Sequence, residues 1–293
     1  MKYIVVRLDG FAGNQLFQIA NALGRARLND KILLDNYVFN RTNFSYGLSD
    51  FLNGEKILLP KTKFQKFIVF ISRYLYLLTR KFSASAQQGV GTVIESSTLY
   101  SNEYYYSNIL PVNYIQGNWM SEKYFPTEEV IRKHIKLKFF KNIATEYSLL
   151  NESISVAVHI RLGDYLDPKY KDSLFTCNEE YFYKSMTYCE KILGGKLTFY
   201  IFTNSDSDFN YIKTSWSKLQ VFNLQRLSSR TFQEDVFAMS LFKNMIISNS
   251  TFSWWADYLS THDKKEKLVL APKKWNNGVY PMNDIYQKHW KKI

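Results

Sequence analysis

Short apolar runs alternate along this chain with stretches of helical period. Residues 3–8 (Y-I-V-V-R-L) read as a strand, and 14–28 carries Leu16, Phe17, Ile19, Ala20, Leu23 and Ala26 at the spacing of an amphipathic helix. A second strand at 31–35 completes a β-α-β start. Residues 36–55 read as loop with short pieces, 56–82 as partly helical, 84–91 (A-S-A-Q-Q-G-V-G) as a flexible connection and 114–117 as a short strand. A helix at 128–138 follows, opened by Pro126 and Thr127. The polar stretch 140–153 marks a boundary, giving domains at 1–150 and 151–293. Beyond it the alternation resumes: strand 154–160, helix 178–193 between Asn178 as N-cap and a stop at Gly194 and Gly195, and strand 197–203. Helix 206–217, strand 219–224, helix 231–242, strand 244–248 and a helix opening near Ser250 complete the series. Strands alternating with helices predict an α/β protein.

Hydrophobic content of 46% and aromatic content of 17% exclude a disordered chain, and 293 residues suit two domains. The net charge of +12 is concentrated: residues 51–90 and 264–293 each carry a net +6, and the rest balances. Two basic patches attract anionic surfaces such as membrane lipid, nucleic acid or a phosphorylated substrate. For 264–293 a solvated lysine-rich tail is the preferred reading. The apolar stretch 64–78 is interrupted by Lys66 and Arg73 and is too short to span a bilayer. It lies along an anionic membrane surface or packs as a buried helix with basic flanks, and both readings explain it. Cys177 and Cys189 form no C-x-x-C pair, so neither zinc nor redox chemistry is indicated, and with no signal peptide the expected location is the cytoplasm, with peripheral contact at the inner membrane face.

The string 156–166, V-A-V-H-I-R-L-G-D-Y-L, carries the most chemistry. A strand buried on both faces stops at Arg161, Gly163 and Asp164, and in an open α/β sheet ligands sit at the carboxyl ends of strands. An arginine there presents a planar fork suited to phosphate oxygens, although an ion pair with Asp164 explains the same string. Residues 248–256 (S-N-S-T-F-S-W-W-A) cluster Ser248, Asn249, Ser250, Thr251 and Phe252 where a helix begins. A helix N-terminus binds phosphate through its unpaired N–H groups; ordinary N-capping accounts for the same residues. Asn204 and Asp206 end another strand. The D-x-D of Asp206 and Asp208 matches a way of holding a divalent metal, but a helix N-cap is preferred, with Asn204 or Asp206 hydrogen-bonding a nucleotide. His159 orients the Arg161 loop from inside the sheet. The turn Gly10-Phe-Ala-Gly13-Asn14, with Asp35 ending the next strand, invites a nicotinamide reading, but the G-x-G-x-x-G spacing is absent.

Taken in order, these blocks resemble the bacterial and animal galactoside α-1,2-fucosyltransferase family. Gly10-x-x-Gly13-Asn14-Gln15-Leu16-Phe17-Gln18 resembles its G-G-L-G-N-Q-L-F-Q, and Ser121-Glu122-Lys123-Tyr124-Phe125 its Q-S-E-K-Y-F block. His159-Ile160-Arg161-Leu162-Gly163-Asp164-Tyr165 is similar to H-x-R-R-G-D-Y, while Asp235, Met239, 248–255 and 271–275 (A-P-K-K-W) match the last block. Phe11 and Ala12 depart from the usual Gly and Leu, Met120 from Gln, and Leu162 from the second arginine of the pair.

The resemblance implies a GT-B architecture, two Rossmann-like domains facing across a cleft. The carboxyl-terminal half would hold GDP-β-L-fucose and the amino-terminal half the glycan acceptor, with inverting transfer, no metal and no cofactor. Arg161 would take the β-phosphate with the 250–252 backbone as second donor set, Asn14 the sugar end of the cleft, and Asp164 would orient Arg161. Asp9, Asp164 and Asp167 are all candidates for the base. The acceptor is expected to be an oligosaccharide with a terminal β-galactoside, lipid-linked in surface polysaccharide or O-antigen synthesis, and no nucleic-acid partner is expected. The rivals are a nicotinamide-dependent oxidoreductase, a non-catalytic basic module binding membrane or nucleic acid, and a metal-dependent GT-A enzyme using Asp206 and Asp208.

Overall fold

The computed structural model describes residues 1–37, 48–81, 91–95, 100–101, 110–151, 154–163, 175–227, 231–277 and 282–293. Asp164 and Asp167, most of the 84–91 connection and part of the 36–55 loop lie outside the described residues. The chain divides into two compact units, Met1–Lys136 with Met282–Ile285, and Leu137–Pro281 with Tyr286–Ile293.

In the first unit the described strands are β1 (Tyr3–Arg7), β2 (Lys31–Asp35), β3 (Ile57–Leu58), β4 (Thr92–Ile94) and β5 (Val112–Gln116), all parallel in the order β3-β2-β1-β5-β4. Helix α1 (Ala12–Arg25) connects β1 to β2 and is buried almost all round. Helix α2 (Lys63–Thr79) opens on a capping box between Thr62 and Gln65. It lays Ile68, Val69 and Tyr76 over Val5, Leu33 and Tyr114 of the sheet. A short helix, α3 (Glu128–His134), follows. Strands β3 and β4 were not anticipated: two or three residues are too few to establish an alternating pattern, and only pairing with β2 and β5 defines them.

The second unit begins with helix α4 (Lys141–Ser148) and continues β6 (Ser155–His159), α5 (Glu179–Leu193), β7 (Thr198–Phe202), α6 (Asp206–Ser215), β8 (Asn223–Gln225), α7 (Phe232–Ser240), β9 (Asn244–Ile246), α8 (Thr251–Leu259), β10 (Leu268–Ala271) and β11 (Lys291–Lys292). The described strands are parallel in the order β11-β10-β9-β6-β7-β8. Counted from β6, this is the 3-2-1-4-5-6 order of dinucleotide-binding sheets. The α/β, GT-B-type expectation of two Rossmann-like halves therefore holds at the level of each half.

Three local expectations change. Lys141–Ser148, read as a polar boundary, is a helix with Ile143 buried, and Tyr147 meets Phe242 of the second unit edge to face. The strand expected at 219–224 is a 3₁₀ turn, Ser217–Val221, followed by β8, because Leu219 must turn inward to the core shared with α5. Strands β10 and β11 were not recognised; β10 pairs with β9 and carries the short β11 at the sheet's edge.

Candidate active site

Strand β6 lies between β7 and β9, so chain direction through the sheet reverses between β6 and β9. In open parallel sheets the crevice at the carboxyl ends of such a strand pair is where ligands bind. Two of the sequence's candidate segments emerge there, 159–163 after β6 and 248–252 after β9. The 271–275 segment also reaches it: the Asn249 amide donates to Trp275 O at 2.7 Å and to Phe175 O at 2.5 Å.

His159 is buried, and its Nδ1 is hydrogen-bonded to Ser248 Oγ at 2.9 Å and Ser253 Oγ at 3.1 Å. Its ring packs against Phe252, 4.5 Å between centroids. Burial, aided by the neighbouring Arg161 charge, pushes its pKa down to about 3, so it stays neutral as an uncharged strut between β6 and α8. Ile160 and Leu162 point into the core with Cys177 and Tyr181, which leaves the Arg161 side chain on the other face of the segment, half-buried. Leu162, at the family's second arginine, is therefore a core residue here. Gly163 has φ +59, and a Cβ there would stand 3.5 Å from Asn204 Nδ2, so this turn brings backbone up against the end of β7.

The 248–252 segment corrects the sequence reading in detail. Ser250 is the N-cap of α8, its hydroxyl accepting the Phe252 N–H at 3.3 Å, and the Ser250 N–H donates to Ser248 O at 2.8 Å. Two N–H groups assigned to a ligand thus already serve the turn. Asn249 is also not an open ligand group: its buried amide holds the 175 and 275 backbones, and its Oδ1 lies 3.5 Å from Cys177 Sγ. At the end of β7 the N-cap is Ser205, not a residue of the D-x-D pattern, and its hydroxyl accepts the Asp208 N–H at 3.1 Å. Asp206 is largely exposed and forms an ion pair with Arg226, 2.7 Å from Nε. Among the described residues no three His, Cys, Asp or Glu side chains gather as a metal site.

These blocks, scattered over more than 100 positions, meet at one sheet edge. Residues 3–293 match the family described as Glycosyl transferase family 11. The chain belongs to glycosyl transferase family 11. This family 11 chain is 28% identical over 291 residues to the α-1,2-colitosyltransferase of Escherichia coli, spanning 94% of itself and 93% of that protein. It is 25% identical over 299 residues to the O-antigen biosynthesis glycosyltransferase WbnK of the same organism, spanning 92% and 94%. Among solved structures it is similar to POFUT1 in complex with GDP, with TM-score 0.46, 14% identity and 96% of each chain covered.

The amino-terminal glycosyltransferase motif has a clear local cause. Gly10 has φ +71 and sits against Asn14, whose amide nitrogen would be 2.5 Å from any added Cβ. Gln18 accepts the Asp9 N–H at 3.0 Å and donates to Asp9 O at 3.2 Å, while Gln15 donates to Gly10 O at 2.9 Å. Both glutamines are buried, and together they hold the loop that follows β1. Their structural role was missed; polar residues three apart on a helix face otherwise filled by Leu16, Phe17 and Ile19 were the available signal. Asp35, the residue a nicotinamide ribose would need, is closed off. Arg73 grips it through Nε at 2.9 Å and Nη2 at 2.7 Å, and Tyr114 donates to it at 2.9 Å. Glu95, also missed, accepts the N–H groups of Asn118 (2.6 Å) and Trp119 (3.0 Å), and burial raises its pKa despite them.

Proposed function

We propose that this chain transfers L-fucose from GDP-β-L-fucose to the 2-hydroxyl of a terminal β-galactosyl glycan, with inversion, in the assembly of a surface polysaccharide of the O-antigen type. The observation that supports the reading is that the segment carrying Arg161 and the segment opening α8 follow the adjacent strands β6 and β9, at the switch point of a dinucleotide-type sheet. A departing diphosphate gathers negative charge as the sugar C1–O bond breaks, and a guanidinium with a helix N-terminus lowers that barrier. The acceptor oxygen bonds to C1 from the opposite face. Its proton passes to a carboxylate among Asp9, Asp164 and Asp167, and the bond's electron pair leaves with GDP. Asn14 serves the sugar end through its side-chain amide, and Asp164 orients Arg161. The acceptor is lipid-linked. Neither metal nor cofactor takes part.

The relative named as an α-1,2-colitosyltransferase makes colitose the second donor sugar to try. The test is incubation with GDP-fucose or GDP-colitose and a panel of soluble β-galactosides, with and without EDTA, followed by mass and linkage analysis. The expected result is a 1,2-linked product from GDP-fucose, undiminished by EDTA. A product from GDP-colitose alone would change the donor. Absence of turnover together with absence of thermal stabilisation by GDP would overturn the reading.

A further inference from the structure

Helix α2 has an outward side on which no described residue packs a covering layer. Its inward face buries Ile68, Val69, Ser72 and Tyr76. Its outward face is not polar: Phe64, Phe67, Phe70, Tyr74, Leu77 and Leu78 range from 46% (Leu77) to 63% (Phe64) exposed. Positions 67, 70, 74, 77 and 78 form one stripe at helical spacing, and the Phe70 and Tyr74 rings stack along it, 6.5 Å between centroids. A contiguous aromatic face of this kind on a helix about 25 Å long is a signature of an interaction surface.

The charge around it selects the partner. Residues 59–81 contain no acid. Exposed Lys61 and Lys63 stand at the amino end of the stripe, Lys66 beside it, and exposed Arg80 and Lys81 at its carboxyl end. The one other cation, Arg73, is turned inward onto Asp35. Cations at both ends of an apolar stripe match a helix lying flat in the headgroup region of an anionic bilayer, rings down and ammonium groups level with the phosphates. No described helix is long and apolar enough to cross a membrane.

We propose that this outward face of α2 docks the protein on an anionic lipid surface, rings inserted at the headgroup boundary. The proposal rests on the lipid-linked acceptor class named above, since that substrate stands at such a surface. Its test is separable from the sugar chemistry. Full-length protein is sedimented with vesicles of phosphatidylethanolamine and phosphatidylglycerol, and with vesicles of phosphatidylcholine alone, at low and high salt. Two variants are compared: Phe67→Ser with Phe70→Ser, and Lys63→Glu with Lys66→Glu. All four side chains are exposed, so both variants are expected to fold; a circular dichroism melt checks this. Binding to the anionic vesicles is expected, weakened by salt and about tenfold or more weaker in each variant, since each basic residue near such a surface contributes about fivefold. Turnover of a soluble β-galactoside is expected to stay at the parent level in both variants. Protein left in the supernatant, or variants that sediment like the parent, would overturn the proposal. So would a dimer in light scattering that the double serine variant dissolves, because the face would then belong to a second copy. Failure of donor turnover with vesicle binding intact would strike the fucosyl-transfer reading and leave the docking surface standing.

Discussion

The two sheets share a parallel, Rossmann-like design, yet their carboxyl edges are used differently. In the amino-terminal sheet the buried acid–cation pair sits at the edge itself: Asp35 ends β2 and is gripped there by Arg73 and Tyr114. In the carboxyl-terminal sheet the corresponding pair is moved away from the edge. Asp257 lies near the far end of α8, about 9 Å along the axis from Thr251. There it pairs with Lys267, and with His289 at 3.0 Å and Trp290 at 2.8 Å. The bracing charges therefore leave the amino end of α8 and Arg161 at the edge. The same topology yields a closed polar knot in one half and, in the other, the edge proposed above to take the donor. The difference lies in where a few charged side chains fall along their elements.

Breaking the distant brace has the largest expected effect. Asp257→Ala strands the buried Lys267 and is expected to cost about 3–5 kcal/mol in urea unfolding. Burial pushes the Asp257 carboxyl up, but His289 and Lys267 outweigh it and hold the pKa below the usual aspartate range. This contribution is therefore present above the unfolded-state pKa near 3.8 and is lost as pH falls below it. An Asp257→Ala protein as stable as the parent would remove the brace from the comparison.

Arg161→Ala tests the edge itself. Transfer is expected to fall by about 3 kcal/mol of transition-state stabilisation, with unfolding within about 0.5 kcal/mol of the parent. Arg161→Lys should recover part of it, since a point charge replaces a planar fork. Loss of fold with loss of activity would make the arginine structural.

The His159 strut gives a pH signature of the carboxyl-terminal unit. Its folded pKa of about 3 lies below the ordinary 6.5, so protons bind the unfolded chain first as pH drops. Stability should decline by roughly 1.4 kcal/mol per pH unit below about 6.5, approaching 2 kcal/mol by about pH 5. The His159→Gln variant should lack this slope. A parent curve flat between about pH 5 and 7 would show that the ring is not held neutral.

The smallest effect is expected at the other edge. Gln18→Leu keeps volume but removes both hydrogen bonds to Asp9, for about 1–2 kcal/mol by calorimetry. It should lower transfer more than it lowers stability if the loop after β1 serves the acceptor side. An unchanged rate would confine Gln18 to holding the fold.

Much of the architecture was readable in the chain. Helix α5 begins at its predicted Asn178 cap, whose Oδ1 accepts the Tyr181 N–H at 3.1 Å, and ends at Gly194. Strands β1, β2, β6 and β7 and helix α8 appear within a few residues of their expected places, because long apolar runs and strong caps act locally. The lysine-rich end was misread as a solvated tail: most of its lysines are exposed, but the stretch carries β10, β11 and the buried Trp275, Ile285 and Trp290. Lys291 and Lys292 lie over the rings of Tyr188 and Tyr286, but Lys267 is buried on Asp257.

The alternation of strands and helices, the arginine at a strand end and the ordered motif blocks were determined by sequence alone, since each depends on neighbours a few residues away. Tertiary structure alone decided that β6 and β9 are adjacent, that Asn249 and Asp35 face partners inside the fold, and that Phe67, Phe70 and Tyr74 of α2 face outward while Tyr76 faces in. Those outcomes depend on which distant groups compete for the same side chain. A carboxylate or amide takes the partner that packing brings within 3 Å, and no local pattern records that partner.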